Sequence, residues 1–256
     1  MKRRDFLSLL PLGAWSARAA DAPFHFTNLD HIEFTVADVF RARDFYGRAF
    51  GYNVMKNNRT QRRYVQIGDA YVAFEPNVDV RVDHFSAGIS GFDVNRLHDY
   101  LKERNIAYRD FPSGRDLNVT DADGLRLQLS ADQGWTQLGI STASMEPFSG
   151  PLPAVKARGL DHVLLDVTDV AQAEAFYSKI LGTPSDKAQG ITWFAIGSSK
   201  LGLRKTAEKP KVARIGVRAA TTSTTRKRLE DAGATFVSMG PFEFRDPDGF
   251  VLQFVG

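Results

Sequence analysis

Hydrophobic and polar positions alternate through His31-Ile32-Glu33-Phe34-Thr35-Val36, the period of a strand with one buried face. Over residues 39–50 the apolar positions switch to helical spacing. Short strand-like runs follow at 52–55, 63–67 and 70–74. The pattern predicts one strand, one helix and three strands. It restarts at Asp83-His84-Phe85. Residues 94–103 read as a helix, with Leu97 and Leu101 four apart. Strand-like runs return at 107–111, 116–120 and 125–129.

The whole arrangement then recurs. Leu29-Asp30-His31-Ile32 reappears as Leu160-Asp161-His162-Val163, and Phe45-Tyr46 as Phe176-Tyr177. Gly51 reappears as Gly182, always 131 positions on. Asp121-Ala122-Asp123-Gly124 returns as Asp246-Pro247-Asp248-Gly249, 125 positions on, each ahead of an apolar run ending in Gln128 or Gln253. Spacing held over a hundred residues indicates two homologous domains. The later copy predicts a strand at 215–218, a helix at 222–233 and strands at 235–239, 241–245 and 250–255. Residues 133–156, rich in Gly, Ser and Pro, read as a linker between domains at 27–132 and 157–256. The fold class expected is α+β, with four βαβββ modules in tandem.

Composition narrows the chemistry. The 256 residues contain no cysteine, which excludes disulfides, thiolate zinc sites, iron–sulfur clusters and a cysteine nucleophile. The net charge of +3 is carried by residues 1–19, where Lys2, Arg3, Arg4 and Arg18 stand against Asp5; the rest of the chain is neutral. A basic surface for nucleic acid is therefore not expected. Apart from residues 1–19, Arg59, Arg62 and Arg63 make a local basic cluster that reads as solvated surface or as a loop over a pocket.

Residues 1–19 read as an export leader: basic residues, an apolar stretch from Leu7 to Trp15, then Ala17-Arg18-Ala19 as a small-residue cleavage site. Arg3-Arg4-x-Phe6-Leu7 resembles the bacterial twin-arginine signal. The expectation is a periplasmic or secreted protein with no stable membrane insertion once the leader is cleaved. No apolar run reaches the roughly 18 residues of a membrane span.

Paired strand–helix–three-strand modules, with Leu-Asp-His opening a strand, Phe-Tyr on the helix and Asp-x-Asp-Gly before the last strand, resemble the vicinal oxygen chelate superfamily. That group includes the glyoxalases, bleomycin-resistance proteins and extradiol dioxygenases. The resemblance implies two glyoxalase/dioxygenase-like incomplete barrels, each cupping a pocket. It also implies a divalent metal held from the first and last strands of each module. In the first domain those positions are His31, Ala73, His84 and Gln128. In the second they are His162, about Gly202, Arg214 and Gln253, so the second domain is expected to be metal-free.

His31, His84 and Gln128 are thus the candidate metal ligands. Glu33, two residues from His31 and on its strand face, is the candidate catalytic carboxylate or a replacement ligand. Glu75 is a further carboxylate of the right parity. Fe2+ or Mn2+ suits two imidazoles and a carboxylate, with Zn2+ or Ni2+ as alternatives. Ala73 supplies no acid where glyoxalase I needs one, so the set sits closer to the extradiol dioxygenases. The expected function is an exported, metal-dependent enzyme acting on a small oxygenated molecule, open to homo-oligomerisation. The alternative is a non-catalytic protein that binds or sequesters a small molecule, as bleomycin-resistance proteins do. His25 and His98 read as surface residues, Phe-Tyr as core packing, and Asp-x-Asp-Gly as a tight turn with a left-handed glycine.

Overall fold

The computed structural model describes residues 22–132, 134–137, 143–237 and 242–256. The expected export leader, with its resemblance to a twin-arginine signal, lies outside the described residues. The first module runs β1 (Phe26–Val36), α1 (Val39–Phe50), β2 (Val54–Asn57), β3 (Arg63–Ile67) and β4 (Ala70–Pro76). The second runs β5 (Arg81–Ile89), α2 (Val94–Glu103), β6 (Tyr108–Asp110), β7 (Asp116–Thr120) and β8 (Arg126–Ala131). A short helix α3 (Gly134–Gln137) and a strand β9 (Ala143–Met145) follow. The third module is β10 (Lys156–Val167), α4 (Val170–Leu181), β11 (Asp186–Ala188), β12 (Ile191–Ile196) and β13 (Ser199–Lys205). The fourth is β14 (Lys211–Ala220), α5 (Thr225–Ala232), β15 (Thr235–Phe236), β16 (Glu243–Arg245) and β17 (Val251–Val255).

The fold is mixed α+β, with four βαβββ modules in two open sheets. The first sheet has the order β6-β7-β8-β5-β1-β4-β3-β2-β9, the second β11-β12-β13-β10-β14-β17-β16-β15. In each, the opening strands of two modules pair antiparallel at the centre, β1 with β5 and β10 with β14. Each opening strand also pairs parallel with its module's last strand, as β1 does with β4 and β5 with β8. Three helices start where an aspartate, Asp38, Asp93 or Asp169, accepts from the two free backbone amides that follow.

Part of the linker is built into the fold. β9 pairs with β2 at the sheet edge, and the amides of Ala154 and Val155 donate to the carbonyls of Arg48 and Ala49 at the end of α1. Residues expected to connect two bodies therefore also fasten them.

One apolar core continues through both halves. Phe34 meets Phe250 at 4.7 Å between ring centroids, and Phe50 of α1 meets Phe254 of β17 at 5.9 Å. Reciprocal hydrogen bonds cross the same interface. Tyr46 on α1 donates to Asp246 at 3.1 Å, and Tyr177 on α4 donates to Asp121 at 3.0 Å. The expected turns are present, with Gly124 at φ +83° and Gly249 at φ +91°. In each turn the first aspartate uses its other oxygen to accept two backbone amides. The Phe-Tyr helices are core packing, as expected, and their hydroxyls also tie each domain to the other domain's turn.

Burial pushes the Asp246 carboxyl up to about 6 against the opposing pull of the Phe250 amide. Tyr46→Phe leaves a buried carboxylate oxygen unpaired, with an expected cost of about 1–3 kcal/mol in urea denaturation. Tyr177→Phe is expected to behave alike. The folded chain holds the Asp246 proton up to pH about 6, whereas an unfolded aspartate releases it near ~4. The stability this group contributes is full below pH ~4 and is lost as the pH rises through about 6. Asp246→Asn is expected to flatten that slope.

Candidate metal centre

The alternation of β1 sends Ile32, Phe34 and Val36 into the core and His31, Glu33 and Thr35 to the opposite, concave face. The β1–β5 register sets Glu33 against His84 and His31 against Ser86. The register of β5 with β8 then sets Ser86 against Gln128. His31, Ser86 and Gln128 therefore form one row across three strands, with Glu33 and His84 the next row along. His31, His84, Glu33 and Gln128 are each at most 7% exposed.

Two β-bulges complete the geometry. The register steps from Leu29–Ala87 to His31–Ser86, leaving Asp30 unpaired, and from Glu33–His84 to Phe34–Val82, leaving Asp83 unpaired. A bulge lets neighbouring side chains turn to one side. Each aspartate consequently reaches the histidine that follows it. Asp30 Oδ1 lies 2.6 Å from His31 Nδ1, and Asp83 Oδ2 lies 3.1 Å from His84 Nδ1. A carboxylate only accepts, so each Nδ1 carries the proton and each Nε2 carries a lone pair.

The two Nε2 atoms face each other at 3.2 Å. Two inward lone pairs at that distance repel unless a proton or a metal cation lies between them. Two nitrogens each ~2.1 Å from one ion and 3.2 Å apart subtend about 100°, between the octahedral and tetrahedral angles. Glu33 Oε2 lies 3.7 Å from His84 Nε2. Gln128 Oε1 is buried without a hydrogen-bond partner. The donor set fits a divalent ion, and the aspartates give it the carboxylate–histidine backing typical of metal sites.

Each carboxylate is fixed in turn. Asp30 accepts from the Gly134 amide at 2.7 Å, at the start of α3. Asp83 accepts from Arg81 at 2.8 Å and Arg126 at 2.9 Å. Burial pushes the Asp83 carboxyl up, but its bond from His84 and the charge of Arg126 outweigh that and hold it at about 2. Burial pulls His84 down to about 4; Asp83 resists, while His31 and Arg62 add to the fall. The imidazole is therefore neutral, the form that binds a metal. Burial raises Asp116, on β7, despite hydrogen bonds from Ser113 and Gln128.

The basic cluster is not uniformly solvated. Arg59 is exposed, but Arg62 reaches in to pair with Glu33 and lies 3.5 Å from Glu75, and Arg63 pairs with Glu146 at 2.6 Å. Glu75 is 38% exposed in its side chain, so Glu33 is the carboxylate directed inward. Ala73 joins Met55, Tyr64, Tyr71 and Ala143 in an apolar cluster separate from the core, with Trp135 against it. His31 stacks on Tyr71 at 4.6 Å and 13°. Asp30, Asp83 and Asp116 are residues of this site that the sequence reading does not anticipate, whereas Arg62 agrees with the reading of its cluster as a loop over a pocket. An aspartate directly before each of His31, His84 and His162 was the available signal.

In the second sheet the same rows read His162–Gly216–Gln253 and Leu164–Arg214. Leu164 stands for Glu33, Arg214 for His84 and the bulged Ala213 for Asp83. Of the expected ligand positions, His162 keeps its dyad, with Nδ1 2.8 Å from Asp161. His25 is exposed; His98 is partly covered, paired with Asp110 at 2.6 Å.

Residues 162–255 match the family model described as glyoxalase-like domain. No curated protein sequence matches the chain. The structure superposes on the 2,3-dioxygenase LapB from Pseudomonas sp. KL28 with a TM-score of 0.70 and 16% identity, covering 91% of this chain and 93% of that one. The Mn(II)-bound glyoxalase from Novosphingobium aromaticivorans gives 0.67 and 14%, covering 90% and 82%. BphC, a halotolerant catechol dioxygenase, gives 0.66 and 15%, covering 90% and 86%. The chain has the two-domain fold shared by these dioxygenases and this glyoxalase.

By NMR, His84 is expected as the Nδ1–H tautomer, titrating near 4 and not at its ordinary ~6.5. Stability from keeping it neutral is present above pH ~6.5 and is lost as the pH falls through about 4. Asp83→Asn, which withdraws the acceptor charge, is expected to weaken Mn2+ affinity about 10–100-fold by calorimetry.

Proposed function

We propose that the chain is a divalent-metal-dependent enzyme acting on a small oxygenated molecule, with its centre in the N-terminal cup at His31, His84 and Glu33. The observation that carries this reading is the pair of Nε2 atoms 3.2 Å apart, each imidazole backed by its own aspartate. Two imidazoles and one carboxylate favour Fe2+ or Mn2+ and leave positions open. The absence of an acid at Ala73 favours a reaction of the extradiol-dioxygenase type over that of glyoxalase I.

When bound, a divalent ion supplies Lewis acidity to adjacent substrate oxygens. The chain's own residues do the rest. His31 and His84 hold fixed tautomers, and Glu33 stands beside them as ligand or proton acceptor. Arg62 pairs with Glu33 and brings a positive charge to the cup, where it can meet an anionic substrate oxygen. Tyr64, Tyr71 and Met55 form an apolar wall that excludes water from the reacting face. Gln128 offers a neutral amide oxygen in place of a third anionic ligand.

The C-terminal domain, with Arg214 in place of His84, is read as metal-free. The leader at residues 1–19 directs the protein to the periplasm or outside the cell. Mass analysis of the protein from a periplasmic extract is expected to find residues 1–19 removed.

The pairing of Arg62 with Glu33 favours a second reading, a protein that sequesters a small molecule without chemistry. Elemental analysis of untagged protein separates the two. One equivalent of iron or manganese per chain, lost in both His31→Ala and His84→Ala with the fold intact by circular dichroism, is expected. A metal-free chain whose thermal stability ignores EDTA would sink the enzymatic reading. Gln128→Glu is expected to tighten Mn2+ binding by at least about tenfold, since a charged ligand replaces a neutral one.

A further inference from the structure

We propose that the C-terminal cup is a second small-molecule site, in which Arg214 and His162 take a small hydroxylated carboxylate. The carboxylate is received by Arg214 and the hydroxyl by His162. The site does not depend on a metal at His31 and His84.

Two buried polar atoms are left unpaired on this face. Arg214 donates from Nη1 to Glu243 at 3.0 Å, but its Nε–H is buried and has no partner. His162, 4% exposed, donates from Nδ1 to Asp161 at 2.8 Å, which leaves the lone pair on Nε2. That Nε2 is also buried and unpaired. Burial pulls the His162 pKa down; Asp161 opposes this and the nearby Arg214 charge adds to it, so the ring is a neutral acceptor. Leaving such buried groups unpaired costs stability, and a complementary ligand recovers it.

The register makes them neighbours. Arg214 lies opposite Leu164 and Gly216 opposite His162, so Arg214 and His162 sit diagonally on one face. Glycine at 216 is required, because a Cβ there would lie 2.2 Å from His162 Nδ1. On the other side Trp193 stands over Gly202 and meets the His162 ring edge-on at 5.5 Å, giving the cup a flat apolar wall. One N–H donor and one acceptor beside such a wall suit a planar ligand with adjacent carboxylate and hydroxyl oxygens. The arginine repels a cation.

Access and charge agree. Arg214, Glu243 and Leu164 line a cleft of about 1010 Å³ that also takes in Asp83, His84 and Arg126 of the first cup; His162 and Trp193 stand outside its lining. Eight lysines and arginines and five aspartates and glutamates border it, an excess that draws anions.

The test uses the full chain, stripped of metal with EDTA, and 2-hydroxybenzoate as probe, with benzoate as the analogue lacking the hydroxyl. Binding is followed by calorimetry and by the NMR signals of the Trp193 indole N–H and the Arg214 Nε–H, which need no mutation. Both signals are expected to shift. Benzoate is expected to bind at least about tenfold more weakly, and Arg214→Met to lose at least about tenfold in affinity. His31→Ala is expected to bind 2-hydroxybenzoate as the parent does. Equal affinity for the two probes, no shift of either signal at about 10 mM probe, or binding lost in His31→Ala but kept in Arg214→Met would each overturn the proposal.

Discussion

The site rests on two β-bulges in one strand pairing. In an unbroken strand, Asp30 and His31 point to opposite faces of the sheet, as do Asp83 and His84. The unpaired residue at each bulge turns its aspartate to the histidine's side, so that the carboxylate fixes the proton on Nδ1 and aims the Nε2 lone pair into the cup. Because β1 and β5 are antiparallel neighbours, the two imidazoles arrive from different strands and meet head-on. Neither bulge alone makes a centre. Together they bring two neutral donors to 3.2 Å inside a buried face.

The fold was largely legible from the chain because each module states its own period. The helices read at 39–50 and 94–103 and the strands at 63–67 and 116–120 have the observed limits. The 131-residue offset fixed the duplication, and the transferred ligand positions fell into matching rows of the two sheets. What the chain did not disclose depends on long-range register. A bulge leaves no mark on local periodicity, so Leu-Asp-His is legible as the motif opening a strand while the aspartate's bond to the histidine is not. Arg62 belongs to a turn whose composition reads equally as solvated surface or as a loop over a pocket, and its partner Glu33, on a strand 29 positions earlier, is what decides between them. The hydroxyls of Tyr46 and Tyr177 bond across the domain interface, which no local pattern encodes.

Duplication separates scaffold from chemistry here. The glyoxalase-like family model matches residues 162–255, the half in which Leu164, Ala213 and Arg214 replace Glu33, Asp83 and His84. Core and turn positions recur in both halves, since each domain needs the other's Tyr–Asp tie and the shared core to close its surface. The residues facing the cups carry no such burden and were free to diverge. Likeness to known proteins at 12–17% identity therefore speaks to the shared scaffold, and function has to be argued from the cup side chains.

Charge balance decides what the first cup can hold. Burying a divalent cation is costly unless anionic or strongly polar ligands replace its water. As metal ligands the two histidines bring no charge, and Asp30 and Asp83 give their negative charge to the imidazole rings behind the ligand atoms. Glu33 is thus the anionic side chain directly beside the Nε2 pair, and it is held by Arg62. Gln128, in the row where an anion would help most, contributes only an amide oxygen. The arrival of a cation or the withdrawal of the guanidinium from Glu33 must therefore be linked. The turn that carries Arg62 is solvent-exposed at Arg59 and Thr60, while the Arg62 guanidinium lies over the Tyr64 ring and pairs with Glu33. The negative charge that Glu33 can offer a cation therefore depends on where the Arg62 guanidinium sits.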